Sequence, residues 1–328
     1  MTLSTRLTRR FEIQHPILCA PMGMITGGRL AGAVSAAGGL GILGGGYAGT
    51  VGNEPDLDEQ YRAAGNVPIG IGFITWAAQK VPQVVDWAIA RKPACLFLSF
   101  GDPAPFARKA RDAGIAVVCQ TQTMRHVREA LDAGAMAIVA QGAEAGGHGG
   151  RRATLPFVPE VKDYLAKHAP DVLLIAAGGI ADGRGLAASL MLGADGVLVG
   201  TGFWAAEEAL TAPAMVARAV AADGDQTVRT AAVDHLRGVP WPDEFSFRVM
   251  RNAVTDQWAE REHETRLKPG AMKAQYIDAR ARGDLEVLPT VAGEAIGMIG
   301  ARLPAAEIVA AMVREAEAAL KAGAALTR

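Results

Sequence analysis

Eight short apolar runs, bounded by Gly, Pro or Asp and mostly followed by an amphipathic stretch of helical length, constrain this chain's fold more than any other feature. They occupy residues 16–20, 39–43, 69–74, 94–100, 115–120, 135–140, 172–177 and 195–199, with starts mostly 20 to 30 residues apart. That interval holds one strand, one crossover helix and two loops, which implies parallel pairing. Eight parallel strands can close into a barrel or stay an open doubly wound sheet. The repeat count and the late glycine loops favour closure, so the expected class is α/β, a (β/α)8 TIM barrel.

Three of the intervening segments, 103–113, 123–133 and 182–192, alternate charged and apolar positions at helical spacing. Each then reaches a glycine stop, at Gly114, Gly134 and Gly193. Thr123 and Asp182 are suited to cap the second and third of them. Beyond the eighth run, residues 210–289 lose the strand rhythm and read as helices with charged faces, hence as a mainly helical lobe beside the barrel mouth. The expected organisation is a barrel over 1–209, a lobe over 210–289, and a closing helix at 305–321 within 290–328.

Composition excludes several function classes. The 33 basic and 34 acidic residues nearly cancel and form no dense basic run, which argues against nucleic acid as a partner. Cys19, Cys95 and Cys119 lie far apart within apolar runs and form no C-x-x-C pair, so they are expected to be reduced and buried. Residues 1–15 carry Arg6, Arg9, Arg10 and Glu12 and no apolar core of signal-peptide length, so a cytoplasmic setting is the expectation. Residues 30–51 are uncharged and long enough to span a bilayer, but their eight glycines make a helix, a turn and a strand the better reading, with no membrane span.

In parallel α/β folds ligands gather at the carboxyl ends of strands, and five of those ends are distinctive here. The seventh run ends in Ala177, Gly178 and Gly179, followed by Asp182 at a helix start; the eighth ends in Gly200, Thr201 and Gly202. Exposed main-chain N–H groups and a helix amino terminus suit a phosphate, although such glycines also serve simple tight turns. The sixth run leads into a flexible glycine-rich loop, residues 141–150, that presents His148 beside Gly147. An imidazole exchanges protons near neutral pH, and glycines let a cofactor or substrate approach the backbone. The first run ends in Pro21, Met22 and Gly23, a fixed turn able to press against a flat ring, although the methionines could be core. The fifth ends in Gln120, whose amide can donate and accept toward a heterocycle edge.

Gly39, Gly41 and Gly44 match the spacing G-x-G-x-x-G, but they fall within the second strand and not between strand and helix. A dinucleotide site is therefore rejected and these glycines are assigned to packing. Taken together, HPILCAPMGM at 15–24, AGAVSAAGGLGILGGG at 31–46, EAGGHGG at 144–150, AAGGIADGRG at 176–185 and GTGF at 200–203 resemble the nitronate monooxygenase family, formerly 2-nitropropane dioxygenases, and its relatives among FMN-dependent enoyl-ACP reductases. The resemblance covers most of the chain.

The resemblance implies FMN, its phosphate held by Gly178, Gly179, Gly200 and Thr201 and its ring near Met22, Gly23 and Gln120, with Pro21, Gly147 and Ala177 bordering the same site. It makes His148 the active-site histidine, acting as acid/base or as an anion-stabilising group. The implied reaction is oxidation of an alkyl nitronate, such as propionate 3-nitronate, by molecular oxygen, with no metal required. The same loops serve an NAD(P)H-dependent FMN reductase of an enoyl thioester or quinone, and a third reading is a barrel that only binds a phosphate compound. A homo-oligomer is compatible with all three. The chain departs from the family pattern twice: Gly70, Ile71 and Gly72 stand where many relatives have G-V-N, and Glu294, in the segment 292–297, replaces the glutamine of A-G-Q-x-x-G.

Overall fold

The computed structural model describes residues 3–50 and 54–326; Met1 of the amino-terminal stretch and Val51 of the uncharged run lie outside them. All eight apolar runs form strands: β1 (Ile17–Cys19), β2 (Leu40–Gly44), β3 (Gly70–Ile74), β4 (Cys95–Ser99), β5 (Ala116–Thr121), β6 (Ala137–Gln141), and then, after a short extra strand β7 (Gly147–Gly149), β8 (Leu173–Ala177) and β9 (Gly196–Val199). The eight close in the order β1-β2-β3-β4-β5-β6-β8-β9. All neighbours are parallel, and β9 returns to β1 with Leu198 opposite Leu18. The fold is a TIM barrel.

Alternation along each strand divides the core into two layers. Leu18, Ile42, Phe97, Val118, Val139, Ile175 and Leu198 fill the barrel, where Leu7 of the amino-terminal helix Arg6–Phe11 joins them. Ile17, Cys19, Ile71, Leu96, Ile138 and Val197 face the surrounding helices and meet residues such as Leu30, Val34, Phe157 and Leu186. The three cysteines are free and buried, and burial pushes their thiols up to about 12.

Local signals produce the expected helices. Ala104–Asp112, Met124–Asp132 and Gly183–Met191 end just before glycines with positive φ, namely Gly114, Gly134 and Gly193. Thr123 accepts from the His126 N–H at 3.2 Å and Asp182 from the Gly185 N–H at 2.9 Å. The closing helix, Ala305–Ala324, packs on Gly183–Met191 and on Gly28–Ala36. Gly41 of the rejected dinucleotide pattern lies within β2, where a Cβ would come 1.8 Å from the Ala31 carbonyl oxygen.

The segment 210–289 is mainly helical, with Pro213–Val220, Ala232–Arg237, Ala253–Trp258 and Pro269–Arg282, but it also holds two strands that the helical reading missed. These are β10 (Thr227–Thr230) and β11 (Ser246–Met250), which form an antiparallel sheet in the order β10-β11-β7. The third strand belongs to the loop after β6. Residues 147–149 are therefore not a free glycine loop: the lobe pins them by main-chain pairing, with Phe247 opposite His148. Among the described residues, no helix is long and apolar enough to cross a membrane.

Candidate active site

A cavity of about 470 Å³ opens at the carboxyl ends of the barrel strands and is roofed by the lobe. It lies within the size range of small-molecule and cofactor sites. Pro21, Met22, Gly23, Gln120, Gly147, His148, Ala177, Gly178, Gly179, Gly200 and Thr201 all line it, so the structure brings these residues to one place, whereas Asp182, Gly202 and Glu294 lie outside its lining. From the lobe, Arg237, Trp241, Phe247, Tyr276 and Arg280 complete the wall.

The β8 and β9 ends present main chain. Gly178 and Gly179 have φ of 104° and 70°, a backbone that side-chain-bearing residues rarely adopt. A Cβ on Gly178 would come 2.8 Å from Thr154 Oγ1 and 2.9 Å from the Gly142 carbonyl oxygen. The N–H groups of Gly178, Gly179 and Gly200 have no acceptor among the described residues. Unpaired donors on a cavity wall are the kind of arrangement with which backbone nests hold anions. Thr201 opens the short helix Thr201–Trp204, and its Oγ1 accepts from the Gly293 N–H at 2.9 Å, which ties the late segment 292–297 to this rim.

The opposite rim presents side chains. His148 Nε2 meets both carboxylate oxygens of Asp234, at 3.0 and 2.9 Å, and the two side chains are only 6% and 4% exposed. The imidazole is stacked between Trp241, 3.4 Å between ring centroids at 9°, and Phe247, 4.2 Å at 7°. The Phe247 contact follows directly from strand pairing, since residues opposite one another on one face of an antiparallel pair touch. Trp241 Nε1 donates to the Tyr47 hydroxyl at 2.9 Å, and Arg237 to the same oxygen at 3.2 Å. Burial pulls the His148 pKa down to about 4, with Asp234 opposing that shift and Arg237 and Arg229 adding to it. The expectation of an imidazole titrating near neutral pH is corrected: the ring is neutral there because the charged form has lost its water.

Beneath this rim, Arg229 and Arg248 stand opposite each other on the other face of the small sheet. Like charges so placed repel, and each has its own compensation. Arg229 donates to the carbonyls of Ala143, Ala145, Gly149 and Ser246 at 2.6 to 3.3 Å. Arg248 pairs with Glu294 at 2.8 Å and donates to the Ala143 carbonyl at 3.0 Å. A Cβ at Gly149 would come 3.3 Å from the Arg229 guanidinium, so that glycine makes room for the cation. Glu144 turns the other way and accepts from the Thr154 N–H and hydroxyl at 2.9 and 2.8 Å, capping helix Thr154–His168.

The nitronate monooxygenase family model matches residues 4–88 and 53–315, the greater part of the chain. The chain belongs to that family. Nitronate monooxygenase npaC of Metarhizium robertsii is 35% identical over 319 residues, covering 86% of this chain and 85% of that protein. A nitronate monooxygenase of Neurospora crassa is 32% identical, covering 93% and 90%. Among solved structures, FabK from Thermotoga maritima superposes with a TM-score of 0.84 at 30% identity, over 99% of this chain and 100% of that one. As a family member the chain is an enzyme, an oxidoreductase, and the reading of a barrel that merely binds a phosphate compound is set aside.

Both departures from the nitronate monooxygenase pattern have a local cause. At Gly72 a Cβ would come 2.6 Å from the Pro21 ring, so the first-strand turn occupies the space that a side chain would need. Glu294 supplies the carboxylate that Arg248 requires, and its N–H donates to the Glu144 carbonyl at 2.9 Å. Sequence reasoning missed Asp234, Trp241, Phe247 and Arg229. The one available signal was the alternation of Phe245, Phe247 and Val249 with Ser246 and Arg248, a strand pattern within an otherwise helical stretch.

Proposed function

We propose that the cavity binds FMN and that the enzyme oxidises alkyl nitronates, such as propionate 3-nitronate, with molecular oxygen. The observation that carries this reading is the meeting, in one cavity, of a main-chain anion cradle and a buried, oriented imidazole. The residues fit the cofactor: unpaired N–H groups at Gly178, Gly179 and Gly200, with the Thr201 helix start, would hold its phosphate. Pro21, Met22, Gly23, Gln120, Gly147 and Ala177 would border its ring, and the glycines leave a flat ligand free to approach the backbone. Bound there, FMN would supply the electron-accepting and oxygen-reactive chemistry that no side chain of this site offers.

The protein's share is orientation, exclusion of water and proton handling. His148, neutral and held by Asp234, would either accept a proton from a neutral nitroalkane or donate a hydrogen bond to the anionic substrate from its other protonation state. The Trp241 and Phe247 rings keep the imidazole plane fixed, and the Tyr47 hydroxyl and Arg237 guanidinium add polar contacts to the same wall. The likeness to FabK and the presence of Arg280, which has no ion pair among the described residues, at the lobe side of the cavity support a second reading. It is an NAD(P)H-dependent FMN reductase of an enoyl thioester or quinone.

One anaerobic experiment separates the two. The yellow protein is mixed with propionate 3-nitronate, NADH or NADPH, and the flavin absorbance is followed. Rapid bleaching by the nitronate alone, with oxygen consumed on aeration, is the expected outcome. Fast bleaching by either nicotinamide, followed by turnover of a quinone or enoyl thioester, would replace this reading with the second, and release of FAD in place of FMN would overturn the cofactor assignment.

A further inference from the structure

We infer that Asp234 is a positioning residue that fixes His148 in the Nε2–H tautomer, leaving Nδ1 as the single proton acceptor that the ring offers the cavity. The inference deepens the proposed function and rests on its reading of His148 as the residue that meets substrate. A neutral imidazole carries one N–H, and its place is set by the partner of the other nitrogen. An ionised carboxylate only accepts hydrogen bonds, and both Asp234 oxygens converge on Nε2 at 3.0 and 2.9 Å. Nε2 must therefore hold the hydrogen. Nδ1 has no hydrogen-bond partner among the described residues, and His148 lines the cavity.

The clamp makes this assignment durable. Trp241 and Phe247 lie on the two faces of the ring, nearly parallel to it, so a ring flip that exchanged the nitrogens would require both aromatic planes to part. Asp234 is itself held on helix Ala232–Arg237, with the Arg237 guanidinium 3.5 Å from its Oδ1. The charged groups whose fields reach the imidazole are Asp234 and Arg237 from that helix and, from the other face of the small sheet, Arg229 of β10, so Asp234 is the one anion among them. When a neutral carbon acid is bound, its C–H bond breaks toward Nδ1, the electron pair passes to the activating nitro group to form the nitronate, and the new imidazolium charge sits against the Asp234 carboxylate. A preformed nitronate has no such proton to lose, so the pairing matters less for it.

The test combines a tautomer measurement with kinetics on the flavin-loaded enzyme. Nitrogen-15 NMR of the histidine side chains, with the His148 signals identified by their loss in His148→Asn, should show a protonated Nε2 and an unprotonated Nδ1 in the wild type. In Asp234→Asn the side-chain amide can donate to Nε2, which moves the hydrogen to Nδ1. Turnover of a neutral nitroalkane should then fall by roughly 10²- to 10⁴-fold in kcat, with KM and flavin content little changed. Preformed nitronate should lose much less, and Asp234→Glu should restore part of the activity together with the wild-type tautomer. A protonated Nδ1 in the wild type overturns the inference without any variant, and so does an Asp234→Asn enzyme that keeps both the Nε2–H signal and full activity on the neutral substrate. If the wild type consumes no oxygen with any nitronate, the proposed function fails while the tautomer result still decides the role of Asp234.

Discussion

The two rims of the cavity are made of different parts of the polypeptide. The β8–β9 rim offers peptide N–H groups, two of them on glycines with positive φ, and it would serve any ligand ending in a phosphate. The β7–β10–β11 rim offers a single imidazole, two aromatic planes and a carboxylate, brought together from segments separated by 86 residues. The first is a generic handle supplied by barrel geometry; the second is specific and depends on a lobe docking correctly over a loop. On the proposed reading, affinity for a cofactor and selectivity for a reaction would fall to elements that can be altered separately.

That separation can be broken by experiment. The largest expected effect is His148→Asn, which should lower turnover of a neutral nitroalkane by about 100-fold or more while the flavin-to-protein ratio stays at the wild-type value. Flavin loss in parallel with activity would mean that the rims are not independent. The mirror experiment is Gly179→Val, which forces a β-branched residue into φ of 70° with Glu144 Cβ 3.3 Å away. Strain of about 1–3 kcal/mol should appear as a lower Tm and lower flavin content, with turnover per bound flavin preserved.

A smaller effect sharpens the view of the histidine rim. The folded His148 pKa, about 4, lies below the ordinary imidazole value of 6.5, so between those values the unfolded chain binds a proton that the folded one does not. The contribution is fully present above pH 6.5 and is lost progressively as pH falls toward 4, with a slope of at most about 1.4 kcal/mol per pH unit. Thermal denaturation across that window should show a steeper fall for wild type than for His148→Asn, and the acid limb of the rate profile should lie near pH 4. The smallest change is Glu294→Gln. It removes a half-exposed ion pair with Arg248, which is expected to cost about 0–1 kcal/mol by denaturant titration and to leave flavin content intact.

The barrel was legible because each strand and its crossover are local, with apolar runs, caps and glycine stops all within one repeat. The glycine rim on which the phosphate proposal rests was legible for the same reason, since Gly178, Gly179, Gly200 and Thr201 sit beside the strands that present them. The histidine could be singled out, but its state could not. Its neutrality comes from burial under Trp241 and Phe247, which outweighs the opposing Asp234 carboxylate, and none of these residues has a fixed sequence relation to it. The glycines around His148 suggest freedom in the sequence, whereas at Gly149 a Cβ would press on the Arg229 guanidinium and the Gln141 amide. The strands β10 and β11 escaped notice because they are short and lie among helices, so their alternating pattern carried little weight against the surrounding helical one.

Arg229 gives the histidine rim a property that a bound ion could not. A loop organised around converging carbonyl oxygens often needs a cation at the centre, and a dissociable one makes the loop's geometry a function of what the surrounding solution contains. Here the cation is tethered through its own side chain to β10, so it cannot be dialysed away, exchanged for a competing metal or stripped by a chelator. Burial lowers its pKa to about 10, still far enough above neutrality to keep it charged. The shape of the loop that carries His148 is thus inherited with the gene and does not vary with the ionic composition of the medium.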